Sequence, residues 1–177
     1  MELEKLKYPI GKFEPPQNIS KQDLTNWIHE LEILPEKLTQ EVQHLSDEQL
    51  DTPYRSEGWT IRQVVHHLAD SHMNVHIRTK LALTEEKPIV KPYFETLWAE
   101  LADSKNHPIE PSLKILEGVH RRLSALLKSL SEEGLKRTFI HPEHGKEFPL
   151  REVIAMYAWH GNHHLAHITT LKKHKGW

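Results

Sequence analysis

Four long stretches of this chain carry apolar residues every three or four positions, and proline-bearing segments separate them. That period suits one face of an α-helix and does not suit a strand. The first stretch holds Leu24, Trp27, Ile28, Leu31 and Leu34, and Leu38 and Val42 continue it past a possible kink at Pro35. Ser20 with Asp23 makes an approximate capping box in front of it. The second stretch starts at the Thr60/Gln63 cap and places Ile61, Val64, Val65, Leu68, His72 and Val75 on one face, as far as about Leu83. The third begins at Pro111 and Ser112 and presents Leu113, Leu116, Val119, Leu123, Leu126 and Leu130. The fourth runs from Leu150 to about His174.

Four amphipathic helices around one core predict an all-α fold, a four-helix bundle formed by a single domain over residues 1–177. Residues 1–19, with Pro9, Pro15 and Pro16, predict an extended N-terminal arm laid on that domain. Residues 84–110 contain Pro88 and Pro92, leave room for a short extra helix over Phe94 to Ala102, and are long enough for a crossover. The segment His141 to Pro149 reads as a turn or a small hairpin, so sheet content should be negligible.

Charge narrows the function. Lys and Arg number 23 against 25 Asp and Glu, and no basic run stands out, which gives no electrostatic case for nucleic acid or an anionic membrane. No apolar run approaches the roughly 18 residues of a membrane span, and the first residues lack a signal-peptide core, so the cytoplasm is the expected address. Cysteine is absent, which removes disulfides, thiolate ligands and a cysteine nucleophile. Histidine, by contrast, occurs 15 times.

Helical phase sorts these histidines. With Leu150 at zero and 100° per residue, Leu150, Val153, Ile154, Tyr157, Leu165, Ile168 and Leu171 fall within about 60° of one direction. His164 lies inside that stripe at about −40°, and His160 lies at its edge at about −80°. They are i,i+4 neighbours, a spacing at which two imidazoles can reach one ion. His163 and His167 repeat the spacing in a more exposed phase, which makes them the weaker pair. Gly161 stands where zinc peptidases carry the Glu general base, so a peptidase of that kind is disfavoured. A third ligand must come from another helix. The second stretch offers His66, His67, His72 and His76, and periodicity alone favours His72 as the buried one. His29, His44, His107, His120, His141, His144 and His174 fall on polar faces or in loops.

Two blocks bear on the third ligand. Trp59-Thr60-Ile61-Arg62-Gln63-Val64-Val65-His66-His67-Leu68-Ala69-Asp70-Ser71 and Trp159-His160-Gly161-Asn162-His163-His164 together resemble the DinB superfamily. The similarity is nearest to its YfiT-like branch of bacillithiol transferases and metal-dependent hydrolases. Tyr8-Pro9-Ile10-Gly11 and Asp51-Thr52-Pro53-Tyr54-Arg55 fit the same branch. The resemblance implies a four-helix bundle, a homodimer, and a divalent metal held by His67, His160 and His164 with one coordination position open.

Three neutral histidines around a four-coordinate ion make a catalytic rather than a structural pattern. Imidazole suits several metals, with Zn or Ni expected, one per chain. Two chemistries follow. A thiol S-transferase would hold a small-molecule thiol, bacillithiol by the resemblance, as its thiolate against an electrophile. A hydrolase would attack a hydrolysable substrate with hydroxide generated at the metal. A non-catalytic metal-binding stress protein is the third option. Asp70, Ser71, Tyr54 and Arg55 are candidates for orienting a ligand or substrate, and Trp59 and Trp159 for shaping the walls.

Overall fold

The computed structural model describes residues 3–143 and 145–177. All four periodic stretches are helical in it. Along the chain come α1 (Leu3–Lys7), α2 (Lys21–Val42), α3 (Asp47–Leu50), α4 (Ile61–Thr84), α5 (Glu95–Ala99), α6 (Ala102–Asn106), α7 (Glu110–Lys128), α8 (Glu132–Lys136), β1 (Thr138–His141), β2 (Lys146–Pro149) and α9 (Leu150–Lys175). Reciprocal capping boxes start α2 at Ser20 with Asp23 and α4 at Thr60 with Gln63. Pro35 sits inside α2, which continues through it.

The core shows how the long helices run. At one end Leu24, Ile28 and Leu31 of α2 pack with Val75 and Ala82 of α4, Leu123 and Leu127 of α7, and Val153 and Ile154 of α9. At the other end Leu34, Leu38 and Val42 meet Ile61, Val64, Leu116, Ile168 and Leu171. Thus α2 and α9 run one way, and α4 and α7 run the other. Both α2 and α4 pack on α7 and α9, so the consecutive helices α2 and α4 sit diagonally. Parallel α4 and α7 require the chain between them to cross the length of the bundle.

That crossover, residues 85–109, determines how deeply α4 is buried. Gln63 Nε2 donates to the Ala99 carbonyl at 2.7 Å. Arg62 donates to Asp51 at 2.6 Å, Asp47 at 2.7 Å and the His107 carbonyl at 3.1 Å. His66 Nδ1 lies 2.7 Å from Ser112 Oγ. Flanked by α7, α9, α3 and the crossover, the first half of α4 is buried on nearly every side.

Two details depart from the sequence expectations, and a third realises the small hairpin they allowed. The N-terminal arm is not wholly extended: α1 occupies Leu3–Lys7, where good helix formers precede Pro9. The single extra helix is two short ones, α5 and α6, because Leu101 takes an extended conformation between them. Sheet is present as an antiparallel hairpin in which Phe139 pairs with Phe148, their rings 5.8 Å apart. Burial of Phe139 in the core anchors it. Among the described residues no helix is long and apolar enough to cross a membrane.

Gly161 marks the closest approach of α9 to α2. A Cβ there would meet Leu34 Cδ2 at 2.4 Å, and Leu34 is itself buried. Position 161 therefore faces a neighbouring helix, which is why no general base could be supplied from it. Gly161→Ala should cost about 1–3 kcal/mol by overpacking, read as a lower urea midpoint. An unchanged midpoint would show that the two helices separate freely.

Candidate metal centre

Helices α4 and α9 run antiparallel, so the first half of α4 faces the middle of α9. His67 thereby meets His160 and His164, and one ligand atom from each lies within 4.8 Å of the others. The Nε2 atoms of His67 and His160 are 3.3 Å apart. Two nitrogens bound to one ion at ~2.05 Å and a tetrahedral angle would be about 3.3 Å apart, so this edge fits a zinc-like ion. His67 and His164 are buried and His160 is half-buried, and all three line a pocket of about 910 Å³.

Burial governs their protonation. It pushes His67 down to about 4 and holds His160 and His164 well below the ordinary histidine range, with neighbouring imidazoles adding to the effect on the latter two. All three are therefore neutral at pH 7, the form that ligates metals.

Two chains of histidines stand behind the trio. In the first, His160 Nδ1 lies 3.2 Å from His72 Nε2, and His72 Nδ1 lies 2.8 Å from His120 Nε2. His120 Nδ1 meets the carbonyl of Leu31. A carbonyl only accepts, so His120 carries its proton on Nδ1. Its Nε2 must then accept from His72 Nδ1–H, and His72 Nε2 must accept from His160 Nδ1–H. The lone pair of His160 is left on Nε2, facing His67. The second chain is shorter: His164 Nδ1 lies 3.4 Å from His167 Nδ1, and His167 Nε2 lies 3.1 Å from the Lys7 carbonyl. The same logic leaves the His164 lone pair on Nε2. Each relay does what a carboxylate or carbonyl behind a metal-bound histidine usually does, with another imidazole interposed.

These placements revise several sequence expectations. His72 is buried, as its phase predicts, but it backs a trio member. His120 is fully buried and on no polar face. Its phase between Leu116 and Leu123 carried that signal. His163 and His167 are buried as well, because the N-terminal segment and the loop before α4 cover them: Tyr8 packs 5.9 Å from His163, while Tyr54 stacks on His167 at 4.0 Å. Ser71 borders the pocket and Asp70 does not. Burial, helped by the charge of Asp103, raises Asp70 to about 6. Trp59 lies over His67, ring centres 4.6 Å apart, and Trp159 also lines the pocket. His144 lies outside the described residues.

This cluster should make the metal-free fold acid-sensitive. Folding lowers His67, His120 and His167 each to about 4 from an ordinary 6.5, through burial above all. Between those values the unfolded chain binds more protons, so stability falls as pH falls. The melting temperature of metal-free protein should drop steadily from pH 6.5 towards 4, followed by circular dichroism. A flat profile from pH 7 to 5 would contradict a neutral buried cluster.

The sequence profile of the DinB superfamily matches residues 30–168. The chain belongs to the DinB superfamily. Within it the YfiT-like branch is supported by sequence and by structure. This DinB protein is 51% identical over 172 residues to YfiT of Bacillus subtilis, covering 97% of each chain. It is 55% identical to a relative from Oceanobacillus iheyensis, covering 97% of this chain and 98% of that one. Both relatives are named, by inference, metal-dependent hydrolases. The solved YfiT structure, described as having an unusual four-helix-bundle topology, superposes with a TM-score of 0.95 at 50% identity, covering 98% and 99% of the two chains. A mycothiol-dependent maleylpyruvate isomerase shares the fold alone, at TM-score 0.59 and 18% identity.

Proposed function

We propose that this DinB protein is a metal-dependent thiol S-transferase in which His67, His160 and His164 hold one divalent ion, Zn or Ni, that activates a small-molecule thiol of the bacillithiol kind. One observation carries the reading: imidazoles, indoles and hydroxyls surround the trio, the carboxylates that border the pocket (Glu57, Glu95 and Glu143) are exposed, and no carboxylate of the described residues hydrogen-bonds to a trio histidine. A hydrolase needs a group to protonate its leaving group, whereas an anionic sulfur nucleophile displacing halide does not. A divalent ion supplies Lewis acidity, which favours the thiolate over the thiol. The thiol proton leaves to solvent, sulfur forms a bond to the electrophilic carbon, and halide departs with the bonding pair. Trp59 walls the site beside His67, Tyr157 stands 5.6 Å from His160 ring to ring, and Ser71 sits one turn beyond His67. Together they form a half-apolar cavity that limits water around the sulfur.

The names of the relatives favour a second reading, hydrolysis through a water acidified by the ion. One assay separates the two. Metal-loaded protein with bacillithiol and monochlorobimane should form the conjugate well above the uncatalysed rate, and His160→Ala should not. No conjugation, with turnover of activated esters instead, would establish the hydrolase reading. Two copies are proposed to pair, supported by Phe94, Leu97 and Leu101 standing exposed on the crossover. Light scattering at twice the chain mass would support that pairing, and a monomer would refute it.

A further inference from the structure

Arg78 is enclosed almost as deeply as Arg62 but is compensated differently. Arg62 is 4% exposed and carries two carboxylates, Asp47 and Asp51. Arg137 is paired with Glu86. Arg78 is 8% exposed, and no carboxylate of the described residues forms an ion pair with it. Its Nη2 donates to the Lys91 carbonyl at 3.0 Å, and its Nε–H is buried without an acceptor. A guanidinium held this way is undercompensated, since a neutral carbonyl does not replace a counter-ion.

The surroundings show where a counter-ion could come from. Arg78 lines the same pocket as the trio. Tyr157 and Tyr93 border the pocket with it; Arg78 donates to the Tyr157 hydroxyl, a second neutral acceptor, and Ser71 interacts with both hydroxyls. Glu95 and Glu143 also border the pocket, exposed, and neither pairs with Arg78. On α4 Arg78 follows His67 by eleven residues, about 16 Å along the axis. Its side chain leans back towards the helix start, which brings the guanidinium to on the order of 10 Å from the trio.

We propose that the Arg78 end of the pocket is a carboxylate subsite, flanked by the Tyr93 and Tyr157 hydroxyls, which selects substrates carrying a carboxylate about 10 Å from the group that meets the metal. The inference rests on the pocket being the substrate site. A carboxylate is preferred over a phosphate because one cation faces this end, and one monoanion neutralises it. A planar carboxylate also matches the fork of a guanidinium.

The first test needs no metal, so it stands apart from the thiol reading. Metal-free protein is titrated with hexanoate and with hexanamide, following tryptophan fluorescence. Wild type should bind the acid at least tenfold tighter than the amide. Arg78→Met should bind both equally, and Arg78→Lys should keep part of the preference. Equal binding of acid and amide by wild type, or a preference that survives in Arg78→Met, overturns the proposal. The acid-to-amide ratio within each variant cancels any general loss of stability. A second arm titrates cobalt-loaded protein with 6-mercaptohexanoate and 6-mercaptohexanol, following the sulfur-to-cobalt absorption band. A band with the alcohol but no tighter binding of the acid overturns the subsite while sparing the thiol reading. No band with either thiol, together with an Arg78-dependent hexanoate preference, overturns the thiol reading while sparing the subsite.

Discussion

Replacing His160 with alanine is expected to leave the purified protein without stoichiometric metal. His160 contacts both other members of the trio: it lies 3.3 Å from His67, Nε2 to Nε2, and 4.6 Å from His164, ring to ring. Losing it removes a ligand and cuts the first relay at its end. The loss of affinity should exceed the ~10–100-fold controlled by groups that merely back a ligand. His67→Ala and His164→Ala should behave alike. His163→Ala is the control: that ring stacks on Trp159 at 4.5 Å and lies outside the trio, so metal should be retained. Metal content after dialysis, by mass spectrometry, decides. Full retention in all three trio variants would refute the site, and emptying by His163→Ala alone would show that the rival pair holds the ion.

His120→Phe should weaken metal binding by ~10–100-fold although residue 120 never meets the ion. Phenylalanine fills much of the ring's volume but can neither donate to Leu31 nor accept from His72. Without that anchor His72 and His160 are each free to place the proton on either nitrogen, and part of the population presents a blocked Nε2. Long-range nitrogen NMR of the metal-free protein reads this directly: wild type should show single tautomers at His72 and His160, and the variant a mixture. General loosening of the core would weaken binding without redistributing the tautomers. Unchanged affinity with single tautomers retained would refute the relay.

The fold was legible because α2, α7 and α9 each present an apolar stripe and because α2 and α4 open on capping boxes spelled out locally. The i,i+4 pair His160/His164 was legible for the same reason. Phase could not choose His67, and the structure explains why. A helix covered by α3, α7, α9 and the crossover has buried residues all around it, so periodicity loses its power to rank directions. There the two-block motif was the better guide. The exposed phase assigned to His163 and His167 failed for a related cause: the cover is the N-terminal segment and the loop before α4, distant in sequence, which no helical wheel contains. The hairpin is legible only as an alternative to a plain turn, because two four-residue strands leave little alternation to detect. Arg78 could not be singled out from sequence, since its distinction is the carboxylate that does not stand beside it.

Both relays end on main-chain oxygens, at Leu31 and at Lys7. Every residue has such an oxygen, so the side chains at those two positions can drift without touching the anchors. What must be inherited is the route of the chain. The aim of the metal-facing nitrogens is thus stored partly as a path rather than as letters. It also follows that a purification tag or trimming at the start of the chain is not an innocent choice: displacing the stretch around Lys7 would release one of the two anchors from a distance.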